Sequence, residues 1–206
     1  MSSQRSRARL TFGRDLGALT RIPTLASPLA FEFCEDGTCG DPTPSGDNKS
    51  VSCSPSDGCT GVGCYCQLFK RRKNSPDTVP WEVAHEDHAG KTKYRPDNLD
   101  YKCLCVKPIL EDELTKDGVT YKVRYQLCGQ GSCARVDVEV LDPNGKHHEI
   151  KCTGNCAGEC KCTLFRLQVS GGGGFKPENA KWSLIAKADT QYQHDDRYIY
   201  RCFCVK

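Results

Sequence analysis

The residues of this chain with the most chemistry to offer are its cysteines. Sixteen are spread over 206 positions, and they fall into two sets of eight in the same order. Cys34 and Cys39 stand five positions apart, as do Cys128 and Cys133. Cys64-Tyr65-Cys66 answers to Cys160-Lys161-Cys162, and Cys103-Leu104-Cys105 to Cys202-Phe203-Cys204. Cys53 with Cys59, and Cys152 with Cys156, keep the order but not the spacing. Closely set thiols suit two chemistries, oxidation to disulfides or capture of a soft metal ion by thiolates. An even number per set fits pairing within each set, and all sixteen then form a disulfide framework whose connectivity stays open. No Cys-x-x-Cys occurs, which argues against thioredoxin-type exchange, zinc ribbons and c-type haem attachment. In the alternative reading, zinc or copper is held by Cys64, Cys66, Cys103 and Cys105, and by Cys160, Cys162, Cys202 and Cys204.

Other reactive groups assemble less well. His85-Glu86-Asp87-His88 sets its histidines one position too close for the metalloprotease helix motif, and it runs into Ala89-Gly90, so it reads as a solvated loop. His147-His148-Glu149 follows a turn and reads as surface. A nucleophilic cysteine needs a free thiol of low pKa beside a histidine, and with every cysteine matched between the sets none stands out. Gly171 to Gly174 lacks the strand-to-helix setting of a phosphate loop. The expectation is a protein that is not an enzyme.

The elements that must position the cysteines are strands. Phe31 to Phe33, Tyr65 to Phe69, Trp81 to Ala84 and Tyr101 to Val106 are rich in aromatic and β-branched residues and bounded by Gly, Pro, Asn and Asp. Tyr121 to Leu127 and Val136 to Val140 alternate with period two, as half-buried strands do. Asp142-Pro143-Asn144-Gly145 supplies a tight turn before His147 to Lys151 returns, so a long hairpin is predicted there and a shorter, looser one over Gly40 to Ser50. In a strand, positions i and i+2 share a face, so each Cys-x-Cys presents two sulfurs about 7 Å apart to one side. If the two Cys-x-Cys strands of a set are antiparallel neighbours, opposing cysteines come within disulfide reach, or four sulfurs close a thiolate site with metal bonds of about 2.3 Å. Equally, the pairs reach outward to the Gly-rich knuckles at Cys53 and Cys59, or Cys152 and Cys156.

Agreement between the two sets extends beyond cysteine. Leu68-Phe69-Lys70 matches Leu164-Phe165-Arg166, Trp81 matches Trp182, and Val106-Lys107 matches Val205-Lys206. The fold class that follows is all-β: a cysteine-rich unit over 31–107, a linker over 108–120 that includes the acidic stretch ending in Asp117-Gly118, and a second unit over 121–206. Trp81, Trp182, Leu68, Phe69, Leu164 and Phe165 are the candidate core. With a separate core in each unit, Trp182→Ala is expected to unfold the second and spare the first.

Residues 1–30 form an N-terminal arm of different character. Five arginines face one aspartate there, a surplus that exceeds the +3 of the whole chain and leaves the remainder slightly acidic. No phosphate footprint is therefore expected on the folded units, and no nucleic-acid partner. The arm's leucines recur at roughly helical intervals interrupted by Pro23 and Pro28, and Arg14, Asp15, Thr20 and Arg21 break every run that would serve as a secretory signal. It reads as a disordered or partner-docking arm. No stretch approaches the ~18 apolar residues of a membrane span.

These features point to a non-enzymatic structural or binding protein without a cofactor, associating with a protein partner or with itself, in part through residues 1–30. Cysteine usage places it outside the cell or on a particle surface. The alternative is a cytoplasmic or organellar thiolate protein with zinc.

Overall fold

Alternation in the sequence becomes alternation in space. In the computed structural model, which describes residues 23–26, 29–53, 58–85, 91–129, 131–142, 145–171, 175–185, 191–192 and 197–206, the chain is built from strands. In order they are β1 (Phe31–Phe33), β2 (Pro42–Pro44), β3 (Ser50–Cys53), β4 (Tyr65–Arg72), β5 (Glu82–Val83), β6 (Thr92–Lys93), β7 (Leu99–Pro108) and β8 (Glu111–Lys116). There follow β9 (Val119–Arg124), β10 (Gly131–Asp142), β11 (Gly145–Cys156), β12 (Lys161–Gln168), β13 (Trp182–Leu184), β14 (Gln191–Tyr192) and β15 (Tyr198–Val205), with one short 3₁₀ turn at Pro177–Asn179.

Two sheets form the centre, β1-β7-β4-β5 and β13-β12-β15. Their inner faces supply one shared core. Phe31, Phe69, Val83 and Val106 of the first sheet cluster with Phe165, Leu167, Trp182, Ile199, Phe203 and Val205 of the second. The rings of Phe31 and Trp182 meet edge to face at 6.0 Å, and Tyr65 lies 6.0 Å from Phe203. A polar contact accompanies them: Arg201 donates to the buried Gln67 Oε1 at 3.3 Å and stacks 4.4 Å from the Tyr65 ring centre. Because neighbours along a strand point to opposite faces, the residue between two cysteines turns toward this core in three of the four pairs, Lys161 at the start of β12 being exposed. Phe203 is buried in it, and Leu104 and Tyr65 pack against it.

The outer faces carry the cysteines and two smaller clusters. Leu68 and Ala84 pack with Val51 of the sheet β2-β3-β6, and Leu164, Tyr200 and Cys202 pack with Ile150 of the sheet β10-β11-β14. Each of the buried valine, leucine and isoleucine side chains among them contributes roughly 1.5–3 kcal/mol. The long hairpin expected in the later part is present, with twelve register pairs from Gly131↔Cys156 to Asp142↔Gly145. Its counterpart, β2 with β3, has three.

Three expectations change here. Trp182 is fully buried, yet it belongs to a core shared with Phe31 and Phe69 rather than to a core of 121–206 alone. Trp81 is only half-buried at the rim, with the Arg71 guanidinium 4.6 Å from its ring centre. The stretch read as a linker carries β8, which pairs with β9 through six register pairs across Asp117-Gly118, both at positive φ as a two-residue hairpin turn requires. Residues 1–22 of the arm lie outside the described residues. Farther along, Trp81 N donates to Thr24 O and Ala26 N to Trp81 O, both at 2.9 Å, and Ala30 is fully buried. The end of the arm is thus part of this chain's own sheet edge. No helix among the described residues is long and apolar enough to cross a membrane.

Candidate functional site

All sixteen cysteines are bonded, as eight disulfides, and none crosses from one half to the other. The first half joins Cys34–Cys64, Cys39–Cys66, Cys53–Cys103 and Cys59–Cys105. The second joins Cys128–Cys160, Cys133–Cys162, Cys152–Cys202 and Cys156–Cys204. In both, the first cysteine pairs with the fifth, the second with the sixth, the third with the seventh and the fourth with the eighth.

The Cys-x-Cys strands are antiparallel neighbours, as the geometry asked, with Cys66 opposite Cys105 and Cys162 opposite Cys204. They are not bonded to each other. The register sets Leu68 against Cys103 and Leu164 against Cys202, so only one cysteine of each pair faces another, and those that do are bonded instead to Cys39, Cys59, Cys133 and Cys156. The sulfurs point away from the shared core and are met by Cys34, Cys39, Cys59 and Cys128 from loops and by Cys53 of β3, Cys133 of β10 and Cys152 and Cys156 of β11. Cys103 and Cys105, with Cys202 and Cys204, reach the knuckles, while Cys64 and Cys66, with Cys160 and Cys162, reach back to the leading cysteines.

A glycine that alternation did not single out makes this approach possible. Gly37 and Gly131 each stand third after the leading cysteine, at φ of 98° and 104°. A Cβ on either would lie within 2.8 Å of Cys59 Cα or Cys156 Cα. The signal was present in the sequence as Cys-x-x-Gly-x-Cys in both halves, at Cys34 to Cys39 and Cys128 to Cys133.

The metal ligand set read from the sequence is not the one that converges. Cys64 and Cys103 are bonded elsewhere, to Cys34 and Cys53. The sulfurs of Cys39, Cys59, Cys66 and Cys105 instead all lie within 4.8 Å of one another.

The second notable feature is the hairpin β8–β9. One of its faces begins in the core: Tyr125 N donates to Leu110 O at 2.9 Å, Leu110 is buried, and Tyr125 packs on Phe165 with ring centres 5.3 Å apart. Burial, with Asp112 nearby, pushes the Tyr125 phenol above its ordinary range. Farther out on the same face, Leu114 opposes Tyr121 and Lys116 opposes Val119. There Leu114, Val119 and Tyr121 are 48%, 52% and 53% exposed. The opposite face pairs Glu111 with Arg124, Glu113 with Lys122 and Thr115 with Thr120, and Arg124 also bridges to Glu32 at 3.4 Å. Among the described residues the hairpin is a sheet of two strands, and no described strand pairs with the outer edge of β9.

No protein-family model matches the chain, and neither does any curated protein or solved structure. The functional reading therefore rests on the framework and on the hairpin. Of the other groups noted in the sequence, Glu86, Asp87, His88 and Gly172 to Gly174 lie outside the described residues. His147 and His148 stand on β11 opposite Val140 and Glu139. A groove of about 550 Å³ is lined by Gly63 to Tyr65, by β10 and by β15, and at its wall Arg135 Nη1 donates to Tyr200 O at 3.2 Å.

Proposed function

We propose that the chain is a non-enzymatic binding or structural protein, built from a duplicated disulfide-stapled module and exported or displayed on a particle surface, which self-associates through β9. The observation that carries this is the apolar strip of Leu114, Val119 and Tyr121, anchored in the core at one end and exposed beside an open strand edge. Open apolar edges are liabilities that proteins usually charge or cover. A second copy covers this one economically. Two β9 strands paired antiparallel about Tyr121 set Val119 against Val123 and Lys122 against Thr120, so no like charges meet, and the two apolar strips become one.

The duplication is supported by equivalent bonds as well as by the connectivity. Cys34 N donates to Cys105 O and Cys128 N to Cys204 O, at 3.1 and 2.9 Å. Ala84 N donates to Leu68 O and Ile185 N to Leu164 O, both at 3.0 Å. Phe31 stacks edge to face on Phe69 as Tyr125 does on Phe165. The location is supported by eight disulfides, which persist in oxidising compartments.

Sedimentation velocity tests the self-association. The native chain is expected to dimerise in the micromolar range, and Tyr121→Asp to weaken the dimer at least tenfold with an unchanged melting temperature, because Tyr121 is exposed. Deleting residues 1–22, which leaves the Thr24 to Ala26 pairing in place, measures any further contribution of the arm. A native chain that stays monomeric at all concentrations contradicts self-association through β9.

A further inference from the structure

We propose that the four cysteines Cys39, Cys59, Cys66 and Cys105 form a second functional state: once reduced, they bind one zinc ion as a tetrathiolate. In a tetrahedral site with zinc–sulfur bonds of about 2.3 Å, neighbouring sulfurs lie about 3.8 Å apart. Between the two disulfides of this cluster, Cys39 Sγ lies 3.3 Å from Cys59 Sγ and 3.5 Å from Cys105 Sγ, and Cys59 Sγ lies 3.3 Å from Cys66 Sγ. Breaking the two S–S bonds lets these four atoms relax outward to the zinc spacing by side-chain rotation.

The scaffold that brings them together also has backbone pairings of its own. Cys66 and Cys105 oppose each other on β4 and β7, which hold eight register pairs. The loops bearing Cys39 and Cys59 are tied by Thr38 N to Gly58 O at 3.0 Å and by a backbone bridge between Gly37 and Cys59. Cys66 is buried and the other three are half-buried, so the site is shielded yet reachable. The second half repeats the convergence at equivalent positions, where the sulfurs of Cys133, Cys156 and Cys162 lie within 4.8 Å of one another.

The chemistry balances with two dithiol reductants. Each delivers two electrons and two protons, becomes a disulfide, and converts one protein disulfide into two thiols. Zinc then displaces the four thiol protons, leaving a site of net charge −2. This state is independent of the contact through β9, since the cluster and the hairpin share no residue.

Differential alkylation tests it on the unaltered chain. The native protein is treated without oxygen with two equivalents of a dithiol reductant, exposed to iodoacetamide with and without equimolar zinc, and each cysteine is scored by peptide mass spectrometry. Zinc is expected to slow modification of Cys39, Cys59, Cys66 and Cys105 at least tenfold, and to leave Cys34, Cys53, Cys64 and Cys103 within twofold of their zinc-free rates. In Cys66→Ser/Cys105→Ser, protection of Cys39 and Cys59 is expected to vanish. Equal protection of all eight, protection of none, or protection centred on Cys64 and Cys103 overturns the proposal.

Discussion

Trp182→Ala is expected to destabilise both halves of the chain together, by about 3–5 kcal/mol. Domains of this size commonly have only about 5–15 kcal/mol in hand, so the loss is severe. The physical reason lies in what surrounds the indole. It is fully buried and meets Phe31 from the first half at 6.0 Å as well as Phe203 from its own at 5.4 Å. Removing it leaves a cavity on the seam between the two central sheets, where collapse of either sheet disturbs the other. The variant carries its own reporter, because Trp81 is then the only tryptophan and stands in the first half. Denaturant unfolding followed by Trp81 fluorescence is expected to shift to lower midpoint in step with far-UV dichroism. A Trp81 transition that stays at the native midpoint contradicts the shared core.

Removing the disulfide Cys53–Cys103 through Cys53→Ala/Cys103→Ala is expected to cost about 4 kcal/mol. Its partners are 50 residues apart, so the cross-link withdraws a large share of the disorder of the unfolded chain. Cys152–Cys202 also spans 50 residues, and its removal is expected to cost the same within about 1 kcal/mol. Both bonds sit in small outer clusters, with Val51 and Leu68 in one case and Ile150 and Leu164 in the other. Thermal unfolding of the two variants checks the cost and its equality. Equal losses support equivalent roles for the two bonds; a negligible loss in either means that the native packing there does without the cross-link.

Several features of this architecture were legible before any coordinates. Strands at Phe31 to Phe33, Tyr65 to Phe69 and Tyr101 to Val106 follow from composition and spacing, whereas the adjacency of the Cys-x-Cys strands was one arrangement that the shared face of their sulfurs allowed. The direction in which those sulfurs pair did not follow, because it depends on a register that puts Leu68 rather than Cys66 across from Cys103. Apolar alternation likewise says which face of β12 or β15 is buried, and not what buries it. That is why Phe31 as the neighbour of Trp182 could not be read from either segment. The hairpin β8–β9 was hidden by its charge: Glu111, Asp112 and Glu113 resemble a solvated connection. Asp117-Gly118 between Leu114 and Tyr121 was nevertheless a hairpin signal of a recognised kind.

Enzymatic digestion and mass spectrometry of the unreduced protein, purified with its thiols trapped, tests the central claim most directly. The account predicts an intact mass lower by sixteen hydrogens than that of the sixteen-thiol chain. It also predicts cross-linked peptides joining Cys34 to Cys64, Cys39 to Cys66, Cys53 to Cys103 and Cys59 to Cys105, with the same order repeated from Cys128 to Cys204. Trapped free thiols, a cross-link between the two halves, or different connectivities in the two would contradict it.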